Sequence, residues 1–271
     1  MDILHKLNPN THEFHLFYHK CRDKDIPVYK CEITGAIALE YVHTTMYEDI
    51  KDFSYWTASD VETAKKKCQR DDSRRQEYIT KIKPDTWLDV GSGVGGIFKG
   101  MNYNAESVEP MPQCRSAIPV KSYKACDEIP NDKLYDLITS FHVIEHLPDP
   151  LGVLKNMKTH LKVNGTCIIE VPHAKDFLLE YLDLESFKDF TLWSQHLILH
   201  TEFTLRRLLE LAGFKDIKIE YIQRYPLSNH LYWLRHGKPG GHNKWPELNV
   251  PAYDQMLINM KMSDTLLAFA K

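Results

Sequence analysis

Two short segments of this 271-residue chain carry residue types at spacings that could do chemistry. The first is Trp87-Leu88-Asp89-Val90-Gly91-Ser92-Gly93-Val94-Gly95-Gly96. Gly91, Gly93 and Gly96 satisfy G-x-G-x-x-G behind an apolar run, and Glu109 stands eighteen residues beyond Gly91. Such glycines let a backbone turn tightly and approach a ligand, while an acid at that distance binds ribose hydroxyls. The second segment is His142-Val143-Ile144-Glu145-His146, an H-x-x-E-H string that matches a zinc-peptidase pattern in inverted order. That pattern needs a helix to set both histidines on one face. Here the string follows an apolar run directly, and Pro148 and Pro150 interrupt any helix. The segment is therefore expected to wall a ligand pocket at a strand end.

Spacing alone lets the glycine segment be a plain structural turn, a dinucleotide site or an S-adenosylmethionine site. Asp89 separates them. A carboxylate two residues before Gly91 repels a pyrophosphate but attracts the ammonium of a methionine moiety. The expected cofactor is S-adenosylmethionine, and an NAD-dependent oxidoreductase is the enzyme alternative. Methyl transfer to a hydroxyl benefits from a base with a pKa near neutrality, usually histidine. Of fourteen histidines, His142 and His196 are the best placed, followed by His146 and His200.

These residues need elements to position them. Thr86–Val90, 105–109, 118–124, Tyr135–Phe141, 166–171, 216–222 and 264–270 read as seven strands. Apolar residues at helical spacing in 151–161 predict a helix between the fourth and fifth strands. Residues 201–212 predict another, with Thr201 as N-cap and Gly213 past its end. Strands separated by helical segments argue for a doubly wound α/β sheet. Residues 60–82 mix both charge signs and read as a solvated helix. The expected organisation is an accessory lobe at 1–60 and a main domain at 61–271. Two long insertions, 172–200 and 223–263, are expected to cover the site.

The chain resembles the class I S-adenosylmethionine-dependent methyltransferases from Thr86 to Lys271. Leu88 to Gly95 (LDVGSGVG) is similar to their first motif, and Glu109 to the acid ending their second strand. Tyr135 to Leu147, followed by Pro148-Asp149-Pro150, is similar to their fourth motif. Leu161 to Val171, His196 and the stretch through Ala212-Gly213-Phe214 resemble later landmarks. The resemblance implies a seven-stranded, mostly parallel sheet with the last strand antiparallel. It implies a cofactor site of Asp89, Gly91, Ser92, Gly93 and Glu109. Pro110 and Met111 would lie on adenine, with Phe141 and His142 as a further wall. The third motif departs from the pattern: Asp127 and Glu128 come late, so the backbone at Cys126 stands in for an acid on the adenine amino group.

The 223–263 insertion mixes Arg224, Arg235, Lys238 and His242 with aromatics and glycines, which suits an anionic or sugar-linked acceptor. With Tyr55, His146 and His200 these form the expected acceptor site. The segment resembles methyltransferases of bacterial surface-polysaccharide clusters, which implies a sugar, sugar nucleotide or phosphorus-containing acceptor. Tyr41, Tyr47, Tyr55 and Trp56 could cover the sulfonium. A non-catalytic partner subunit of the same fold is the third reading.

A net charge of -3 leaves no electrostatic footprint for nucleic acid or an anionic membrane. No signal-like or spanning apolar run is present, and a cytoplasmic protein is expected. The six scattered cysteines read as reduced thiols. Cys21 and Cys31 lack a second ligand pair for zinc, and no metal is expected.

Overall fold

The structure, a computed structural model, describes residues 13–40 and 58–271. Tyr41, Tyr47, Tyr55 and Trp56 lie outside the described residues.

The chain first makes three short strands, β1 (Phe14–Tyr18), β2 (Val28–Cys31) and β3 (Ile37–Leu39). They pair antiparallel in that order. A fourth strand, β9 (Ile198–Leu199), joins beside β3 from within the 172–200 insertion. Ile26, Val28, Ile37 and Leu39 share one buried cluster with Ala174, Leu179, Leu192 and Leu199. Neither segment could bury its apolar face alone, so the three strands and the insertion share one packing unit.

Asp60 starts the long helix α1 (Val61–Ile82) by accepting the Thr63 backbone N–H at 2.8 Å. Then come β4 (Thr86–Val90), β5 (Asn104–Val108), the short α2 (Pro112–Arg115) and β6 (Lys121–Tyr123). After them come β7 (Tyr135–Phe141), α3 (Pro150–Thr159) and β8 (Leu161–Pro172). The remainder holds α4 (Glu185–Thr191), α5 (Glu202–Leu211), β10 (Lys218–Ile222), α6 (Leu227–His236), α7 (Gly241–Lys244), α8 (Pro251–Asn259) and β11 (Thr265–Ala270).

The main sheet has seven strands in the order β10-β11-β8-β7-β4-β5-β6. β8, β7, β4, β5 and β6 run parallel, and β11 is antiparallel to both its neighbours. This is the expected doubly wound α/β architecture. β4 has β5 on one side and β7 on the other, so the order reverses there. Ligands in such sheets bind at the carboxyl ends beside that point.

Alternation along each strand divides the core into two layers. Leu88, Val90, Ile138, Ile169 and Val171 pack with Leu154 and Met157 of α3 and with Leu205, Leu208 and Leu209 of α5. Trp87, Leu137 and Ile168 point the other way, onto Ile79 of α1 with Ile97 and Phe98. Thr201 caps the N-terminus of α5 as expected, and Thr204 completes a reciprocal capping box with it.

Local differences from expectation have identifiable reasons. β8 begins at Leu161, five residues early, because Leu161 pairs with Tyr135 across a shift in register that leaves Val163 94% exposed. The 223–263 insertion is largely helical, and α6 stops at Gly237, whose φ of 62° suits glycine. Among the described residues no helix is long and apolar enough to cross a membrane.

Candidate functional site

The cofactor cradle forms where β4, β5, β6 and β7 end. Gly91, Gly93 and Gly95 take φ values of 80°, 53° and 71°. Gly91 is required twice over, since a Cβ there would also run into Val143. The turn is tied to β5 by the Gly91 N–H donating to the Val108 carbonyl at 2.8 Å. Glu109 then accepts the Gly93 N–H at 2.7 Å and the Met111 N–H at 2.9 Å, one on each carboxylate oxygen. Burial pushes its pKa up to about 7, against those two hydrogen bonds.

Asp89 is 3% exposed beneath the turn. It accepts the Thr139 hydroxyl at 2.5 Å, and that hydroxyl accepts the Trp87 indole N–H at 2.8 Å. Burial raises its pKa as well. Two buried carboxyls held up by burial flank one glycine turn. A ribose diol and an ammonium would supply the donors and the positive charge that favour their ionised forms. The donor set therefore fits an adenosine-bearing ligand with a cationic amino acid end.

The other expected cofactor residues share this edge. Ser92 donates to the Asp89 carbonyl at 3.0 Å. Pro110 is half-buried, whereas Met111 packs with Val94 and Cys114 in a small cluster. Cys126 opens a turn after β6, and its thiol is pushed up to about 12 by burial. Phe141 ends β7 with the Arg75 guanidinium 4.9 Å from its ring centroid.

His142, next along, has a φ of 55°, uncommon for a residue with a side chain and the kind of strain that gathers at functional sites. Its Nδ1 lies 3.1 Å from Glu145 and its Nε2 lies 3.3 Å from Glu170. Burial and Arg224 disfavour the imidazolium, but the two carboxylates outweigh them and its pKa is raised. Glu170, fully buried in β8, also accepts Arg74 at 2.7 Å and Arg75 at 2.6 Å. Burial opposes its charge, yet Arg75 and its other partners hold its pKa well below the usual range.

Glu145 leads from His142 to two further histidines. Burial opposes its charge too, but His146 and His142 bring its pKa down to about 2. His146 Nδ1 lies 2.7 Å from the Gln195 carbonyl, and His196 Nδ1 lies 2.9 Å from the Thr191 carbonyl. The two rings are 5.0 Å apart. Burial lowers both pKa values, that of His196 to about 3. The segment Ile144–His146 is one 3-10 turn, not an α-helix. The peptidase geometry is absent, and the string does stand at the carboxyl end of β7.

The expected acceptor residues divide. His146 belongs to the Glu145 group, and His200 is buried nearby in sequence at the end of β9, 3.2 Å from Thr204. Arg224 is held by Asp264 at 2.9 Å and Asp71 at 3.4 Å. Arg235 and Lys238 are exposed, and His242 on α7 contacts Asn229 and the Tyr225 ring. Tyr55 lies outside the described residues.

Glu145, Glu170, Arg74 and Arg75 join the site without being expected there from the sequence. A solvated helix is a correct description of only one side of α1: Asp72 is buried, and Arg75 reaches the sheet. A signal was available, because Glu170 interrupts a strand of Ile168, Ile169 and Val171. A carboxylate inside such a run must find cations.

The sheet order and the acid-flanked glycine turn define an S-adenosylmethionine-binding α/β fold, and S-adenosylmethionine is the cofactor. Residues 62–219, more than half of the chain, match the family described as methyltransferase domain, and the chain belongs to that family. The nicotinamide alternative is thereby set aside. A ubiquinone biosynthesis O-methyltransferase of Rickettsia typhi is 28% identical over 95 residues. That match spans 30% of this chain and 39% of the relative. A crystal structure of an S-adenosylmethionine-dependent methyltransferase from Archaeoglobus fulgidus is similar with a TM-score of 0.53 and 20% identity. It covers 74% of this chain and 94% of that one. The phosphoethanolamine N-methyltransferase 2 of Haemonchus contortus, in complex with S-adenosylmethionine, is 14% identical with a TM-score of 0.49. It covers 84% of this chain and 59% of that one.

Proposed function

We propose that this chain transfers the methyl group of S-adenosylmethionine to an oxygen of a small molecule, with His142 as the proton acceptor. The bound cofactor supplies an electrophilic methyl on a sulfonium leaving group. The protein has to align the acceptor oxygen and take its proton.

The observation that carries this reading is the contact between the cofactor turn and the His142 segment. Val143 occupies the space that a side chain at Gly91 would need, so His142 stands one residue from the glycine turn. About a fifth of its side chain is open (22%). Glu145 orients Nδ1 and stabilises the imidazolium formed when the proton arrives, the role of a carboxylate behind a catalytic histidine. Nε2, the ring nitrogen away from Glu145, is the proton-accepting atom in this reading; it is buried 3.3 Å from Glu170. His196, the other histidine expected at the reaction, joins this group through Glu145 and His146.

Within this reading the acceptor is a sugar, a sugar nucleotide or a phosphorus-containing precursor of a bacterial surface polysaccharide. Arg224 is saturated by two carboxylates, while Arg235 and Lys238 lie at the surface. That distribution favours a neutral sugar hydroxyl over a phosphorylated group. The test is a screen with labelled methyl donor over free sugars, sugar nucleotides and phosphorylated sugars, followed by His142→Gln on the best acceptor. A fall in kcat of about a hundredfold or more supports the base. Unchanged kcat at saturating substrate rejects it. Binding of S-adenosylhomocysteine with no acceptor methylated would favour a non-catalytic partner subunit.

A further inference from the structure

The Glu145 group has a property that proton transfer does not use. Ligand-capable atoms of Glu145, His146 and His196 all lie within 4.8 Å of one another. Each imidazole has its Nδ1 against a backbone carbonyl, Gln195 for His146 and Thr191 for His196. A carbonyl can only accept, so Nδ1 carries a proton in both rings and Nε2 is the ligand-capable nitrogen of each. His146 Nε2 is 3.8 Å from Glu145 Oε1. The second carboxylate oxygen, Oε2, is buried without a hydrogen-bond partner. A carboxylate oxygen buried without a hydrogen-bond partner is costly unless a cation joins it.

We propose that Glu145, His146 and His196 form a binding site for one divalent first-row metal ion, with Zn2+ the best match. Two imidazole nitrogens and a carboxylate suit zinc and its neighbours; magnesium and calcium prefer oxygen donors. Histidine ligands characteristically donate their second ring N–H to a backbone carbonyl or carboxylate, and both histidines already do so. The net ligand charge of -1 would be compensated by the cation. The three ligands come from two separate segments, the turn after β7 and the loop between α4 and β9, so the ion would also tie the 172–200 insertion to the sheet.

Three protein ligands leave a coordination position for water or another oxygen, as in reactive zinc sites. On the methyl-transfer reading, a hydroxyl bound to the ion would be a stronger acid. This consequence rests on that reading, whereas metal binding does not.

The test uses the full chain, stripped with a chelator and dialysed, with neither cofactor nor acceptor present. Titration with Zn2+ by calorimetry should show one ion per chain. Co2+ should give visible absorption bands of a four- or five-coordinate nitrogen and oxygen site. His196→Ala, whose ligand is the least buried of the three, should abolish the bands and lower Zn2+ affinity at least a hundredfold while the apo-protein melts as the parent does. Glu145→Gln is the second variant and should also abolish the bands and lower Zn2+ affinity, although loss of its buried pairing with His142 lowers its melting temperature. Zn2+ binding unchanged in both variants, or no stoichiometric binding by the parent, would overturn the site. Because turnover is not the readout, failure of the metal site and failure of methyl transfer are separately visible.

Discussion

Arg75 and Glu170 are 95 residues apart in sequence, yet the guanidinium donates to one carboxylate oxygen through Nε at 3.0 Å and Nη2 at 2.6 Å. Arg74 takes the other oxygen at 2.7 Å. This pairing fastens α1 to β8 near the carboxyl end of the sheet. It also fixes the Glu170 carboxylate against His142. Removing one partner of a buried pair leaves an uncompensated charge, at a cost of about 3 kcal/mol or more. Glu170→Gln should therefore lower the denaturation midpoint strongly, while Glu220→Gln on β10, paired at the surface with Lys218, should cost less than about 1 kcal/mol. Equal midpoints for the two variants would show that the buried pair contributes nothing special.

The glycine turn makes a sharper comparison possible. Gly91 and Gly100 have nearly the same φ, 80° and 75°, but a side chain at Gly100 would meet nothing within 4 Å. Both alanine variants should suffer the left-handed strain, about 1 kcal/mol or more each. Only Gly91→Ala should also displace Val143. Gly91→Ala is expected to lower stability further than Gly100→Ala and to weaken S-adenosylhomocysteine binding, measured by thermal unfolding and calorimetry. A Gly100→Ala variant as impaired in binding as Gly91→Ala would contradict the packing account.

Glu109 is held ready by the Gly93 and Met111 amides. Hydrogen bonds from a ribose diol to a carboxylate are worth about 1.5–3 kcal/mol. Glu109→Ala should raise the Kd for S-adenosylhomocysteine at least tenfold in calorimetry. Adenosine, which keeps the ribose, should lose affinity in parallel, and methionine, which lacks it, should not.

A pH-dependent stability resides in the first insertion. Asp176 accepts the Leu178 N–H at 2.7 Å, and burial together with Asp264 pushes its pKa from 3.8 up to about 7. A carboxyl whose folded pKa is raised stabilises the fold most below its unfolded pKa. That contribution is lost as pH rises from about 4 through about 7. Asp176→Asn keeps a side-chain acceptor for the turn but carries no charge. Its Tm advantage over the parent should be small at pH 4, grow through pH 7 and level off above, with an upper bound of about 4 kcal/mol. An advantage that shrinks with rising pH would reverse the assignment.

Much of the fold was legible because it rests on local patterns. The strand ending at Val90, the acid at Glu109 and the caps at Thr201 and Gly213 announce themselves within a few residues, since strand alternation, turn chemistry and helix capping are short-range. The cofactor edge follows from the same logic, because parallel strands joined by helices bring their carboxyl ends together.

What lay beyond the sequence was pairing at long range. That the first insertion supplies β9 to the N-terminal strands depends on which apolar faces remain uncovered after the sheet forms. Arg75 reads as one more charge on a mixed-sign helix, and only packing turns it toward Glu170. Arg224 reads as a ligand-binding cation until Asp71 and Asp264 take it. Glu145, His146 and His196 become a group only when the turn after β7 meets the loop before β9. Residue types and spacing determined the sheet and its nucleotide-binding edge. The tertiary structure decided which buried charges neutralise one another and which are left to meet a ligand, because burial makes each buried charge depend on partners from elsewhere in the chain.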